Sequence, residues 1–171
     1  HPIKLLDGYW FALRNRKSGS LLWLSEATSC TVAPTYTQFE YRFGPWQVVR
    51  RDFVADGAEG LIITLSVQAA EKWQQEVELL ALFRSDLQPA WLGEEVGMLD
   101  QPDQATASAD KRTVIFADGG NPWFAAVLAS HEAAEILIAE SLPSPQPTLG
   151  KGINAQFTLP LHFDAQGKAS C

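Results

Sequence analysis

From Ile153 to Phe163 the chain alternates strictly. Ile153, Ala155, Phe157, Leu159, Leu161 and Phe163 are apolar, whereas Asn154, Gln156, Thr158, Pro160 and His162 are not hydrophobic anchors. Successive side chains of a strand point to opposite faces, so this stretch predicts a strand with one face buried and one facing water. A turn, Asp164-Ala165-Gln166-Gly167, follows, and the residues up to Cys171 offer no evident returning strand. The expectation is a single all-β domain, residues 1–171, cut from a longer protein.

The same period of two recurs elsewhere. Phe39, Tyr41 and Phe43 alternate with Gln38, Glu40 and Arg42, and Leu61, Ile63, Leu65, Val67 and Ala69 line one face of another run. Val77, Leu79, Ala81 and Phe83 begin a strand whose second face turns apolar at Leu80 and Leu82, as expected beneath a partner layer. Shorter runs at Tyr9–Leu13, Ser20–Leu24, Trp46–Ala55, Arg112–Ala117, Trp123–Leu128 and Ala134–Ala139 also read as strands. Asp7-Gly8, Lys17-Ser18-Gly19, Gly44-Pro45, Asp56-Gly57 and Asp118–Pro122 supply turn chemistry between them. Short strands punctuated in this way indicate an antiparallel sandwich or barrel with little helix. Ser141–Gly152 and much of Gln88–Asp110 read as loop, the latter with room for a hairpin near Gly97–Leu99. Ala129–Ala139 is the one stretch with a helical alternative, because Ala and Glu favour it.

Composition narrows the partners. The chain has 171 residues, 46 % hydrophobic and 19 % charged, which is enough for a globular core. Its net charge of −7 argues against nucleic acid and anionic membranes, both of which need a basic footprint. No apolar run approaches the ~18 residues of a membrane span. Two cysteines, Cys30 and Cys171, do not make a disulfide framework, and a cytoplasmic location is the expectation.

Chemistry-bearing residues are sparse. His131-Glu132-Ala133-Ala134-Glu135 has Glu where a zinc-protease helix needs its second His, so no metal or other cofactor is expected. Glu94 and Glu95 are adjacent, whereas glycoside hydrolysis needs carboxylates on opposite sides of one bond. Arg50-Arg51 and Lys111-Arg112 point to opposite faces of their strands and form no patch. Asp86 follows a very apolar strand, where a carboxylate commonly caps the next turn. Of six tryptophans, Trp91 stands out because it lies in loop sequence between Pro89 and Gly93. The others read first as packing residues.

Three stretches carry a family resemblance. They are Tyr41–Gln68 (an aromatic strand, a charged strand, a tight turn and an apolar strand), Glu76–Trp91 (EVELLALFRSDLQPAW) and Gly152–Lys168. Together they resemble the N-terminal β-supersandwich domain of glycogen-debranching (amylo-α-1,6-glucosidase) type glycoside hydrolases. They are also similar to the corresponding domains of maltose and cellobiose phosphorylases and bacterial glucoamylases. The resemblance implies a mutarotase-like antiparallel sandwich that packs on a helical (α/α)6 barrel of the same parent chain. In that family the barrel holds the reacting carboxylates, so it implies no catalytic residue in this chain.

The resulting expectation is a non-catalytic domain that shapes a sugar cleft. Arg84, Asp86 and Trp91 are its candidate α-glucan contacts, an aromatic platform beside groups that hydrogen-bond hydroxyls. A free-standing carbohydrate-binding module and a mutarotase-like epimerase are the alternatives. Homo-oligomerisation through an uncovered apolar face is a further expectation, since such a face seeks cover.

Overall fold

A computed structural model describes residues 3–74, 76–147 and 150–171, without the side chains of Trp91, Leu92 and Glu94. The chain is all-β and antiparallel, as its alternation predicts. Its strands are β1 (Ile3–Asn15), β2 (Leu21–Trp23), β3 (Ser29–Val32), β4 (Thr37–Phe43), β5 (Trp46–Phe53), β6 (Ile62–Ala69), β7 (Val77–Pro89), β8 (Asp103–Ala107), β9 (Thr113–Asp118), β10 (Phe124–Leu128), β11 (Glu135–Ala139), β12 (Asn154–Pro160) and β13 (Lys168–Ser170). One helical turn, α1 (Glu71–Gln74), and a 3-10 turn at Trp91–Val96 complete the described elements. The sheets have the orders β11-β12-β7-β1-β2, β10-β9-β8 and β13-β6-β5-β4-β3.

Two compact units divide these residues. The first comprises His1–Phe11 and Leu80–Leu159, the second Ala12–Leu79 and Pro160–Cys171. Strands β1 and β7 contribute residues to both. In the first unit the aromatic rings of Tyr9, Phe11, Phe83 and Phe157 lie 6.0–6.5 Å apart in stacked and edge-on pairs. Leu80, Leu82, Leu87, Val114, Phe116 and Ala155 complete that core. In the second unit the antiparallel register aligns Tyr41 with Val48 and Val48 with Val67, all three buried. Trp46 meets Trp73 edge-on at 6.0 Å at the end of that sheet.

Several expectations need correction. The apolar face of β12 is buried as expected, but so is its polar face: Asn154 is 1 %, Gln156 7 % and Thr158 2 % exposed. The strand sits inside its sheet between β11 and β7, and side-chain polarity did not reveal that it is covered on both sides. A returning strand does exist after Asp164–Gly167. It is β13, and it pairs with β6 rather than β12. The turn is built by Asp164, whose carboxylate accepts the N–H groups of Gln166 and Lys168, both at 2.9 Å. Gly167 has φ +75°, and a Cβ there would lie 2.4 Å from the Ala69 carbonyl oxygen, so the turn requires glycine.

Asp86 does not end its strand, because β7 continues to Pro89. The predicted loop Gln88–Asp110 contains β8, and Gly97–Leu99 forms no hairpin. The helical alternative at Ala129–Ala139 gives way to β11, whose five residues pair with β12 from Glu135–Thr158 to Ala139–Asn154. Cys30 and Cys171 are both free. Cys30 lies on edge strand β3, and Cys171 exchanges both backbone hydrogen bonds with Leu65 of β6, directly after β13 at the opposite edge. Successive strand spacings of ~4.8 Å put the two far beyond bridging range.

Candidate functional site

Arg84 and Asp86 lie two residues apart on β7 and therefore share a face. Both are buried, at 4 % and 5 % exposure. A buried charge persists only with partners, and here the partners are internal. Arg84 donates to the carbonyl oxygens of Glu140 at 3.2 Å and Gly150 at 3.3 Å, and its guanidinium lies 3.8 Å from the Asp7 carboxylate. Asp86 accepts hydrogen bonds from Lys4 and, at 2.7 Å, from the Gln88 amide. Lys4 also pairs with Asp7 at 2.9 Å. Burial works against the Lys4 cation, but hydrogen bonds to Asp86 and Asp7 outweigh it and hold the ammonium above its ordinary pKa.

The two cations and two carboxylates of this cluster cancel in charge. Within the cluster it is Arg84 that ties Gly150 to β7. Gly150 has φ +76°, and a Cβ on it would stand 2.9 Å from the Asp86 Oδ1 atom. Two residues on, Gly152 passes so close that a Cβ would lie 1.8 Å from the Ser85 carbonyl oxygen. Ser85 closes the contact: its N–H donates to the Ile153 carbonyl at 3.0 Å, and its hydroxyl accepts the Ile153 N–H at 3.0 Å. Sequence reasoning singled out Arg84 and Asp86. It missed Lys4 and Asp7, whose pairing depends on β1 lying beside β7. A sugar hydroxyl reaching Arg84 or Asp86 would have to displace these partners.

Trp91 opens the 3-10 turn, and its side chain lies outside the described residues, as does that of Glu94. Glu95 is exposed. His131 is hydrogen-bonded to the Ser130 hydroxyl at 3.1 Å, and His162 is exposed on the stretch after β12. Among the described residues no three His, Cys, Asp or Glu side chains are placed to hold a metal ion. A shallow depression of about 520 Å3 in the second unit is lined by Lys17, Glu71, Lys72 and Glu76. Lys17 and Glu76 pair there at 2.5 Å.

A second polar cluster, also in the first unit, was not foreseen. Asp103 on β8 and Asp118 on β9 stand directly opposite each other, and both are buried. Burial pushes the Asp103 carboxyl above its ordinary pKa. The charges of Asp118 and Asp100 add to that, while hydrogen bonds from Leu87 N–H and the Ser85 hydroxyl oppose it. Its Oδ2 atom accepts the Leu87 N–H at 3.0 Å, and Oδ1 has no hydrogen-bond partner among the described residues. Burial also raises the Asp118 pKa, but the N–H groups of Gly120, Asn121 and Gln101 and the Asn121 amide hold it below the ordinary value. Asp118 thus has its acceptor sites filled as a turn-forming carboxylate.

No protein-family model matches the chain, and no curated protein matches it. None of the described helices is long and apolar enough to cross a membrane.

Proposed function

We propose that this chain is a non-catalytic β domain of a carbohydrate-active enzyme of the glycogen-debranching (amylo-α-1,6-glucosidase) type. In this reading it packs on a helical catalytic barrel and shapes the approach to an α-glucan cleft. The observation that carries the reading is the role of Arg84 and Asp86, which stand in the most family-like stretch of the sequence. Both charges are engaged internally, Arg84 with the Gly150 carbonyl and Asp86 with Lys4, as suits a framework domain that sets a loop in place. Trp91, nearby in the chain, remains the proposed glucan platform. The two free thiols fit a cytoplasmic setting.

The reading is tested on the parent reading frame. A helical segment of several hundred residues joined to this chain, with glucan-hydrolysing activity, supports it. A parent with no such segment overturns it. Titration of the chain itself with maltooligosaccharides separates it from a free-standing binding module. Affinity tighter than about 1 mM by the chain alone favours the module. Within the full enzyme, Trp91→Ala should raise KM for oligosaccharides with little change in thermal stability, and unchanged KM removes the proposed platform.

A further inference from the structure

Strand β10 is an edge of the three-stranded sheet β10-β9-β8. The hydrogen bonds from Ala129 N–H to Arg112 and from Asp118 N–H to Trp123 set its phase against β9. In an antiparallel ladder the bonded residues alternate, so Trp123, Ala125, Val127 and Ala129 face β9. Phe124, Ala126 and Leu128 direct their N–H and C=O groups the other way, and no described strand pairs with them. The same three residues carry exposed side chains, Phe124 at 70 % and Leu128 at 71 %. Ile115, opposite Ala126 on β9, extends this apolar face and is 49 % exposed. Trp123–Ala129 contains no charge, proline or glycine, so the devices that commonly blunt an edge are missing within it.

We infer that β10 pairs antiparallel with β10 of a second copy about a two-fold axis at Ala126. The choice of partner rests on self-complementarity. In that register Phe124 faces Leu128 of the second copy, Ala126 faces Ala126, and all three residues exchange backbone hydrogen bonds. Every cross-strand pair is apolar, and flanking residues meet without like charge: Pro122 faces Ser130, Asn121 faces His131 and Gly120 faces Glu132 of the second copy. A two-fold axis normal to the sheet keeps the outer faces together, so the Phe124, Leu128 and Ile115 surfaces of both copies merge. One five-residue strand and its neighbours bury less than the ~1,200 Å2 of stable complexes, so the dimer is a weak, exchanging one. The net charge of −7 per copy opposes it, and added salt therefore strengthens it.

Sedimentation of the chain over a concentration series tests this. The wild type should associate at roughly 0.1–1 mM, as expected of a small interface. Ala126→Lys sets two ammonium groups against each other on the axis and should weaken association at least tenfold. Its solvent-facing site leaves the β9 ladder intact, which unchanged thermal unfolding would verify. Mixing Ala126→Lys with Ala126→Glu should restore a heterodimer that neither variant forms alone. A wild type that stays monomeric throughout overturns the inference. So does a wild-type dimer that Ala126→Lys leaves undiminished, because the contact would then lie elsewhere.

Discussion

Strands β12 and β10 reverse the usual rule of inside and outside. Asn154–Pro160 has the polar alternation of a half-solvated strand, yet its first six residues are all buried. Phe124–Leu128 is apolar throughout, yet Phe124, Ala126 and Leu128 are exposed. The two strands differ in sheet position as well. β12 is flanked by β11 and β7, whereas β10 has a neighbour on one side only. Composition tells which residues can be buried, and the covering of each sheet face tells which ones are.

The sharpest way to break this contrast is one substitution made in both strands. Phe157→Ala removes a ring that packs on Phe83 at 6.0 Å and is 1 % exposed. It should cost about 4 kcal/mol in urea unfolding. Phe124→Ala should change stability by less than about 0.5 kcal/mol, because that ring is 70 % exposed. Equal costs would mean that the Phe124 ring is covered in solution.

Arg84→Ala addresses the polar face next. It withdraws a buried cation from the carbonyls of Glu140 and Gly150 and from Asp7. The expected loss is about 2 kcal/mol, because the carbonyls of Glu140 and Gly150 lose their donor while Asp7 keeps Lys4. Amide exchange around Gly150–Ile153 should speed up with it. A neutral Arg84→Ala would show that the clamp is ornamental and would return Arg84 to the pool of ligand contacts.

Much of the fold was legible because alternation is a local signal. β4, β6, β7 and β12 each carry an apolar series at every second residue. The strands that were missed lack that signal. Ser29–Val32 is exposed at all four positions, and Asp103–Ala107 offers Asp, Gln and Thr among alanines. Both are defined by pairing with a neighbour, β4 or β9, and not by a face of their own. For the site, the pair Arg84 and Asp86 was visible as charge at the end of an apolar run. What they do was not, because Lys4, Asp7 and Gly150 approach them only once β1 and the Gly150 segment lie against β7.

Asp103 and Asp118 extend the comparison to pH. Asp103 has a raised carboxyl pKa, so the folded state binds its proton more tightly than the unfolded state does. Its charged form therefore weakens the fold above its folded pKa. That penalty is relieved as pH falls from there toward the ordinary value of 3.8. Asp118 is shifted the other way, so its contribution is present above 3.8 and lost as pH falls through its lower folded value. Asp103→Asn should abolish the first slope and Asp118→Asn the second, read as unfolding free energy between pH 3 and 7, a range set by ordinary carboxylate values of about 4. Identical pH profiles for both variants would remove the asymmetry that the hydrogen bonds of Asp118 create.

The smallest expected effect bears most directly on why a polar face can be buried at all. Thr158 is 2 % exposed, and its hydroxyl has no hydrogen-bond partner among the described residues. Gln156 and Asn154 share its face of β12, and the Asn154 amide donates to the Glu140 carbonyl at 2.9 Å. The polar face is therefore satisfied unevenly along one strand. A buried hydroxyl without a partner costs desolvation and returns nothing, so Thr158→Val, which keeps the shape, should leave stability unchanged or raise it by up to about 1 kcal/mol. Thr106→Val, at an exposed position of β8, serves as the control and should stay within about 0.5 kcal/mol of wild type. A loss of 1 kcal/mol or more at Thr158 alone would mean that its hydroxyl is bonded in solution, with an ordered water as the natural partner. The buried polar face of β12 would then be a hydrated seam, and the contrast with β10 would rest on water as well as on packing.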